Sequence, residues 1–216
     1  MEEKVYAVEL HEVGLTIDKQ ELLKDISLNL DYGKIYGIIG RNGSGKTLLF
    51  KCIAGFILPT HGDIEVIGEQ IGQDTDFSGH MGVIIETPGF IPHYSAYKNL
   101  KILADISGGV KKERIIECIR MVGLDEKERK PVKKYSLGMR QRLGLAQAIM
   151  EDPHVLVLDE PMNGLDKQGV EDIRHLLLEL KKQDKTILIA SHNAEDIRLL
   201  CDEVYEMDAG MLTKIK

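Results

Sequence analysis

Gly40-Arg41-Asn42-Gly43-Ser44-Gly45-Lys46-Thr47 has the spacing G-x-x-x-x-G-K-T, and the reading of the whole chain turns on it. Glycines at 40, 43 and 45 let the backbone turn tightly, so that successive N–H groups point at one anion. The run ahead of it, Lys34-Ile35-Tyr36-Gly37-Ile38-Ile39, reads as a buried strand, and residues 47–54, from Thr47 and Leu48 onward, read as a helix. Strand, glycine loop and helix in that order make a phosphate-binding loop, with the helix adding the positive end of its dipole. Lys46 would reach the β- and γ-phosphates of a nucleoside triphosphate, and the Thr47 hydroxyl would ligate Mg2+. A glycine-rich turn that happens to contain Lys and Thr is the plainer reading. The strand and helix on either side argue against it.

A second segment points to the same chemistry. His154-Val155-Leu156-Val157-Leu158-Asp159-Glu160-Pro161 is an apolar strand ending in two carboxylates. Parallel sheets bind ligands at the C-terminal edge of their strands, where these acids would sit. Asp159 is placed to hold Mg2+, directly or through water, and Glu160 to polarise a water aimed at the γ-phosphate. Alone, the pair reads as a polar turn after a strand; beside a phosphate loop it reads as a site.

Length and composition bound the rest. The chain has 216 residues, enough for one domain with a full core, and an ordinary apolar fraction of 43%. Net charge is −7, and no basic block stands out, so no nucleic-acid partner is expected. Cys52, Cys118 and Cys201 are odd in number and widely spaced, which reads as buried thiols in a reducing compartment, with neither a disulfide framework nor a metal site. The acidic opening Met1-Glu2-Glu3-Lys4 lacks the pattern of a signal peptide, and no apolar run reaches the ~20 residues of a membrane span. The expectation is a cytoplasmic protein whose membrane part, if any, comes from a partner.

Along the chain, residues 5–10, 26–30 and 64–68 read as strands of an N-terminal antiparallel lobe. Residues 98–106, 111–122 and 138–150 read as helices, broken at Gly108-Gly109 and around Lys130-Pro131. Strands at 155–158 and 186–190 enclose a helix at 168–183, the rhythm of a parallel sheet, and residues 204–213 close the chain as a hairpin.

Tyr135-Ser136-Leu137-Gly138-Met139-Arg140-Gln141-Arg142-Leu143 lies just before the second strand of the site. Ser136 is a good N-cap for a helix whose free N–H groups can hold a phosphate. With the two motifs above, this segment resembles the signature loop of the ATP-binding cassette (ABC) transporters, as a variant of the common Leu-Ser-Gly-Gly-Gln. Asn163-Gly164-Leu165-Asp166 matches the family's D-loop, and His192, after Ser191 and the strand at 186–190, matches its switch histidine. The resemblance covers essentially the whole chain.

What the resemblance implies is specific. The fold class would be α/β: a P-loop NTPase of the ABC ATPase type, with a parallel-sheet core, an N-terminal antiparallel β lobe and an inserted α-helical subdomain at about 90–150. Residues 1–216 would form a single ABC nucleotide-binding domain. Glu160 and His192 would be catalytic. ATP would contact Ile17, Gly40, Arg41, Asn42, Gly43, Ser44, Gly45, Lys46, Thr47, Leu48, Glu86, Ser136, Gly138 and Asp166, and Mg2+ would be held by Thr47, Glu86 and Asp159. Each γ-phosphate would lie between Lys46 and His192 of one subunit and Ser136 and Gly138 of another, so the active form would be a homodimer, or a heterodimer with a related subunit.

The expected partner is an integral membrane permease at the inner face of the cell membrane, serving export of a drug or antimicrobial peptide. The flanking stretch at 86–97, with Phe90, Tyr94 and Tyr97, would grip it. Three departures from the family pattern stand out. Glu86 replaces the usual Q-loop glutamine, Ile17 replaces an aromatic that stacks on adenine, and Leu137 and Met139 make the signature bulkier. The rival is a soluble non-transport ABC ATPase acting on nucleic acid, the ribosome or an assembly scaffold. Such proteins normally fuse two cassettes or insert a long coiled coil, and this sequence has neither feature. A phosphate-loop kinase would lack the signature segment and His192.

Overall fold

A computed structural model describes residues 5–216, and the acidic opening at 1–4 lies outside the described residues. The chain begins with a hairpin of two long strands, β1 (Val8–Ile17) and β2 (Gln20–Leu30). Its turn residues Asp18 and Lys19 both take positive φ, 48° and 66°, the geometry that matches the twist of paired strands. The strands expected at 5–10 and 26–30 capture only part of this pair. Register shifts between Leu10 and Thr16 break the alternation on which a strand reading depends, and Asp-Lys lacks the glycine that signals such a turn.

β3 (Ile35–Ile39) feeds the glycine loop, which opens into α1 (Lys46–Ile53). β4 (His61–Val66) and β5 (Glu69–Gln70) complete a four-stranded antiparallel sheet in the order β2-β1-β4-β5. After β6 (Met81–Ile84) come three helices, α2 (Ala96–Ser107), α3 (Lys112–Met121) and α4 (Leu137–Ile149). Gly108 ends α2 in the left-handed region, and a single 3-10 turn at Val132–Lys134 fills the break after Pro131. The chain then runs through β7 (Val155–Asp159), α5 (Lys167–Lys182), β8 (Thr186–Ala190), α6 (Ala194–Leu200), β9 (Glu203–Asp208) and β10 (Met211–Lys214). α6 carries no helical signature in the sequence, because seven residues are too few to display a 3.6-residue period.

The second sheet has six strands in the order β10-β9-β3-β8-β7-β6, parallel except for the β9–β10 hairpin. Its strands alternate between two cores. Leu156, Leu158, Ile187 and Ile189 face the core that includes α2 to α6. Val155, Val157, Leu188 and Ala190 face the core shared by α1 and the antiparallel sheet. α1 is too short to persist alone, but it buries Leu49, Phe50, Cys52 and Ile53 there. At about 1.5–3 kcal/mol for each large apolar side chain, that burial fixes the helix that carries Lys46 and Thr47. Because β3, β8 and β7 run parallel, their C-terminal ends share one edge. Among the described residues, no helix is long and apolar enough to cross a membrane.

Candidate functional site

The phosphate loop fills the exit of β3. Gly40 has φ 147°, and a Cβ there would lie 2.2 Å from the Met207 carbonyl oxygen and 2.8 Å from Ser44 Oγ, so only glycine keeps the cradle open. Lys46 Nζ donates to the carbonyls of Gly40 (2.8 Å) and Arg41 (3.1 Å), holding the ammonium over the loop. α2, α4, α5 and α6 each begin with a side-chain cap, from Ser95, Ser136, Asp166 and Asn193. No side chain caps α1 at Gly45, which leaves its first N–H groups for an anion.

Among the described residues, Ser44 Oγ is the buried side-chain polar atom without a hydrogen-bond partner. Such an orphan in an otherwise satisfied structure fits a ligand oxygen arriving at the loop. Thr47 Oγ1 donates to Asp159 Oδ2 at 2.8 Å across 112 residues of sequence, joining the start of α1 to the end of β7. A hydroxyl and a carboxylate in contact beside a phosphate loop are hard oxygen donors suited to Mg2+.

Glu160 follows directly. Its backbone sits at φ 50°, in the left-handed region that costs a non-glycine residue about 1 kcal/mol or more, and such strain gathers at functional positions. Its N–H donates to the Ala190 carbonyl (2.9 Å), continuing the β7–β8 register past Asp159 and Ala190. The carboxylate Oε2 lies 2.8 Å from His192 Nδ1. The sheet therefore brings the two expected catalytic residues into direct contact.

A cleft of about 470 Å³ runs along this edge, lined by Asn42, Gly43, Gly45, Lys46, Thr47, Leu48, Glu86, Asp159 and Glu160. Gly40, Arg41 and His192 line a neighbouring depression of about 580 Å³. Glu86, also in the left-handed region at φ 60°, pairs with Lys51 Nζ at 2.7 Å. Lys51 lies one turn beyond Thr47 on α1 and offsets the extra charge; as an exposed pair it contributes at most about 1 kcal/mol.

Ile17, Ser136, Gly138 and Asp166 lie outside the lining of the phosphate cleft. Ile17 is 40% exposed at the tip of the β1–β2 hairpin. Ser136 Oγ accepts from the Met139 N–H (3.1 Å) and Asp166 Oδ1 from the Gly169 N–H (2.8 Å), so both serve as helix caps. Gly138 packs closely against the D-loop segment. A Cβ there would fall 2.7 Å from the Gly164 carbonyl oxygen.

Gln141 went unrecognised in the sequence. It is buried, lines the cleft and donates from Nε2 to the Glu160 carbonyl at 3.2 Å, tying α4 to the loop after β7. The available signal was a polar residue on the face that α4 buries with Leu145 and Ala148.

The surface next to the cleft differs from the expectation. Phe90 and Tyr97 pack against the core of the helical layer, and the Tyr94 ring is covered by Lys98 Nζ at 3.7 Å. The open apolar groove, about 680 Å³, is lined instead by Phe56, Phe77, Ile85, Pro88, Leu103 and Ile106. Phe56, Phe77 and Ile106 are 54%, 58% and 78% exposed, a concentration of bare apolar surface of the kind that interaction sites present.

Comparison with known proteins gives the class. The family model for ABC transporters matches residues 23–163, most of the chain, and the chain belongs to that family. It is 44% identical over 205 residues to the uncharacterized ABC transporter ATP-binding protein YybJ of Bacillus subtilis (strain 168), covering 95% of this chain and 94% of that one. It is 39% identical over 211 residues to the bacitracin transport ATP-binding protein BcrA of Enterococcus faecalis (97% and 68%). To the lantibiotic transport ATP-binding protein SrtF of Streptococcus pyogenes it is 36% identical over 184 residues (85% and 79%).

Among solved structures, the dimeric cassette MJ0796 bound to ADP and Pi superposes with a TM-score of 0.85 at 22% identity, over 97% of this chain and 99% of that one. That likeness concerns the fold. The chain is an ABC-type ATPase of the P-loop class, an ATP-binding, ATP-hydrolysing transporter subunit.

Proposed function

We propose that the chain is a single ABC nucleotide-binding domain that works as a dimer around two MgATP and powers a separate membrane permease for export of an antimicrobial peptide or drug. The contact of Thr47 with Asp159, beside Glu160 and His192, carries the catalytic part of this reading. Lys46, the loop N–H groups and Ser44 Oγ bind the β- and γ-phosphates. Thr47 and Asp159, with Glu86 reaching through water, would hold Mg2+. When bound, Mg2+ supplies a divalent charge that offsets the phosphates. Glu160 takes up the proton of the attacking water, and His192, steadied by Glu160, meets the γ-phosphate from the end of β8.

Ser136 and Gly138 lie outside the phosphate cleft of their own chain, which fits a role toward the nucleotide of the partner subunit. That partner is a second copy or a related cassette, and native mass spectrometry of the MgATP-bound complex tells the two apart. The groove at Phe56, Phe77 and Ile106 suits a short helix of the permease and adjoins Glu86 through Thr87 and Pro88, which line both clefts. In this reading the chain works at the inner face of the membrane through its permease. The export class is supported by the identity to the bacitracin and lantibiotic transport ATP-binding proteins. Pull-down from native membranes, scored for an integral membrane protein, and bacitracin or lantibiotic survival of cells with and without the chain test it together. Co-purification of ribosomes or nucleic acid in place of a membrane protein would favour the non-transport rival.

A further inference from the structure

His192 is 77% exposed at its side chain, sits two residues beyond the end of β8, and yet must present its ring accurately. What holds it is buried behind it. Ser191 is 4% exposed. Its Oγ accepts from the Asn193 N–H at 3.1 Å and donates to Asp196 Oδ2 over a long 3.4 Å. One hydroxyl therefore ties the backbone on both sides of His192.

Asp196 is 1% exposed, and its Oδ1 accepts from both Nε (2.9 Å) and Nη2 (2.6 Å) of Arg174, itself 5% exposed on α5. Arg174 also holds Glu195 (3.0 Å) and Glu171 (2.6 Å). A buried ion pair is weak evidence for stability, because desolvation offsets its attraction and an apolar pair of similar volume packs as well or better. Here the pair fixes α6, whose first turn carries the Asn193 cap and so the loop of His192.

We infer that Ser191, Asp196 and Arg174 are positioning residues for His192, anchoring the switch loop to α5 so that its ring meets Glu160 and the γ-phosphate. The inference rests on the reading that His192 serves that phosphate. The plainer role, in which the ion pair merely docks α6 on α5, makes a different forecast. A residue that acts through His192 loses its effect once His192 is gone, whereas a structural one costs the same factor in either background.

The experiment is a kinetic cycle on MgATP hydrolysis by the full chain: wild type, Ser191→Ala, His192→Ala and the double variant, with Ser191→Thr as the conservative rescue. His192→Ala is expected to lower kcat by about 100-fold or more. Ser191→Ala is expected to lower kcat about tenfold with KM for ATP nearly unchanged, Ser191→Thr to restore it, and the double variant to match His192→Ala alone. Asp196→Asn should follow the same pattern. If that variant fails to fold, Ser191→Ala, which leaves the ion pair intact, carries the test. Equal losses in both backgrounds, or full kcat in Ser191→Ala, would overturn the inference while leaving His192 in its role. Full turnover in His192→Ala would overturn that role and the inference with it.

Discussion

Glu160 Oε2 lies 2.8 Å from His192 Nδ1, and the contact is set by strand register. Asp159 pairs with Ala190 in the parallel β7–β8 ladder, so the residues just past each strand meet. With Nδ1 turned to the carboxylate, Nε2 is the ring atom left for a ligand oxygen. Glu160→Gln keeps the shape and removes the carboxylate, and should lower hydrolysis by about 10²–10⁴-fold. ATP-dependent dimerisation should persist. Size-exclusion chromatography with MgATP, alongside a phosphate-release assay, reads both; wild-type turnover would assign the base elsewhere.

Lys46 is held at the mouth of the loop by the Gly40 and Arg41 carbonyls, where its charge is directed at an incoming triphosphate. Charge-assisted hydrogen bonds contribute about 1.5–3 kcal/mol each, so Lys46→Ala should weaken MgATP binding about tenfold to 100-fold. Isothermal titration measures it. An unchanged Kd with normal turnover would remove Lys46 from the site.

The Phe56 and Phe77 rings lie 5.8 Å apart at the groove, both more than half exposed. Replacing both by alanine should abolish permease co-purification while leaving MgATP affinity and melting temperature nearly intact, since neither ring fills the core. Phe90→Ala should do the reverse, costing about 2 kcal/mol or more of stability, because that ring packs on the helical layer. Permease binding that survives the Phe56 and Phe77 changes in a folded protein would place docking elsewhere.

Burial pushes the Cys52 and Cys118 thiols up to about 11, and Cys201 up to about 12, from an ordinary 9.0. Above pH 9 the unfolded chain releases thiol protons that the folded chain keeps. The unfolded state then binds fewer protons, so this contribution to stability is complete below about pH 9 and is lost as pH rises through the folded values. Each thiol should cost at most about 1.4 kcal/mol per pH unit, the slope reached between the unfolded and folded values. Urea unfolding at about pH 9 and about pH 10 should show a loss smaller by about 1 kcal/mol in Cys52→Ala than in wild type, because the unfolded thiol is already half titrated at the lower pH. Equal losses would mean that the Cys52 thiol titrates freely.

Local sequence carried the phosphate loop, the carboxylate strand, the capped signature helix and the β8 strand, because each is a short run whose backbone needs or periodicity are written in consecutive residues. Gly40 and Ser136 speak for themselves in that way. The β1–β2 hairpin did not, since register shifts and an Asp-Lys turn hide its alternation, and α6 is too short to announce itself. The contacts that make chemistry belong to the tertiary structure alone. Thr47 meets Asp159, Glu160 meets His192, and Gln141 reaches the Glu160 carbonyl because parallel strand order places distant segments at one sheet edge. Which aromatics lie bare was also decided there. Phe90 and Phe56 are equally apolar as residues, and only the packing of the helical layer, which covers Phe90, determines which one is left to face a partner.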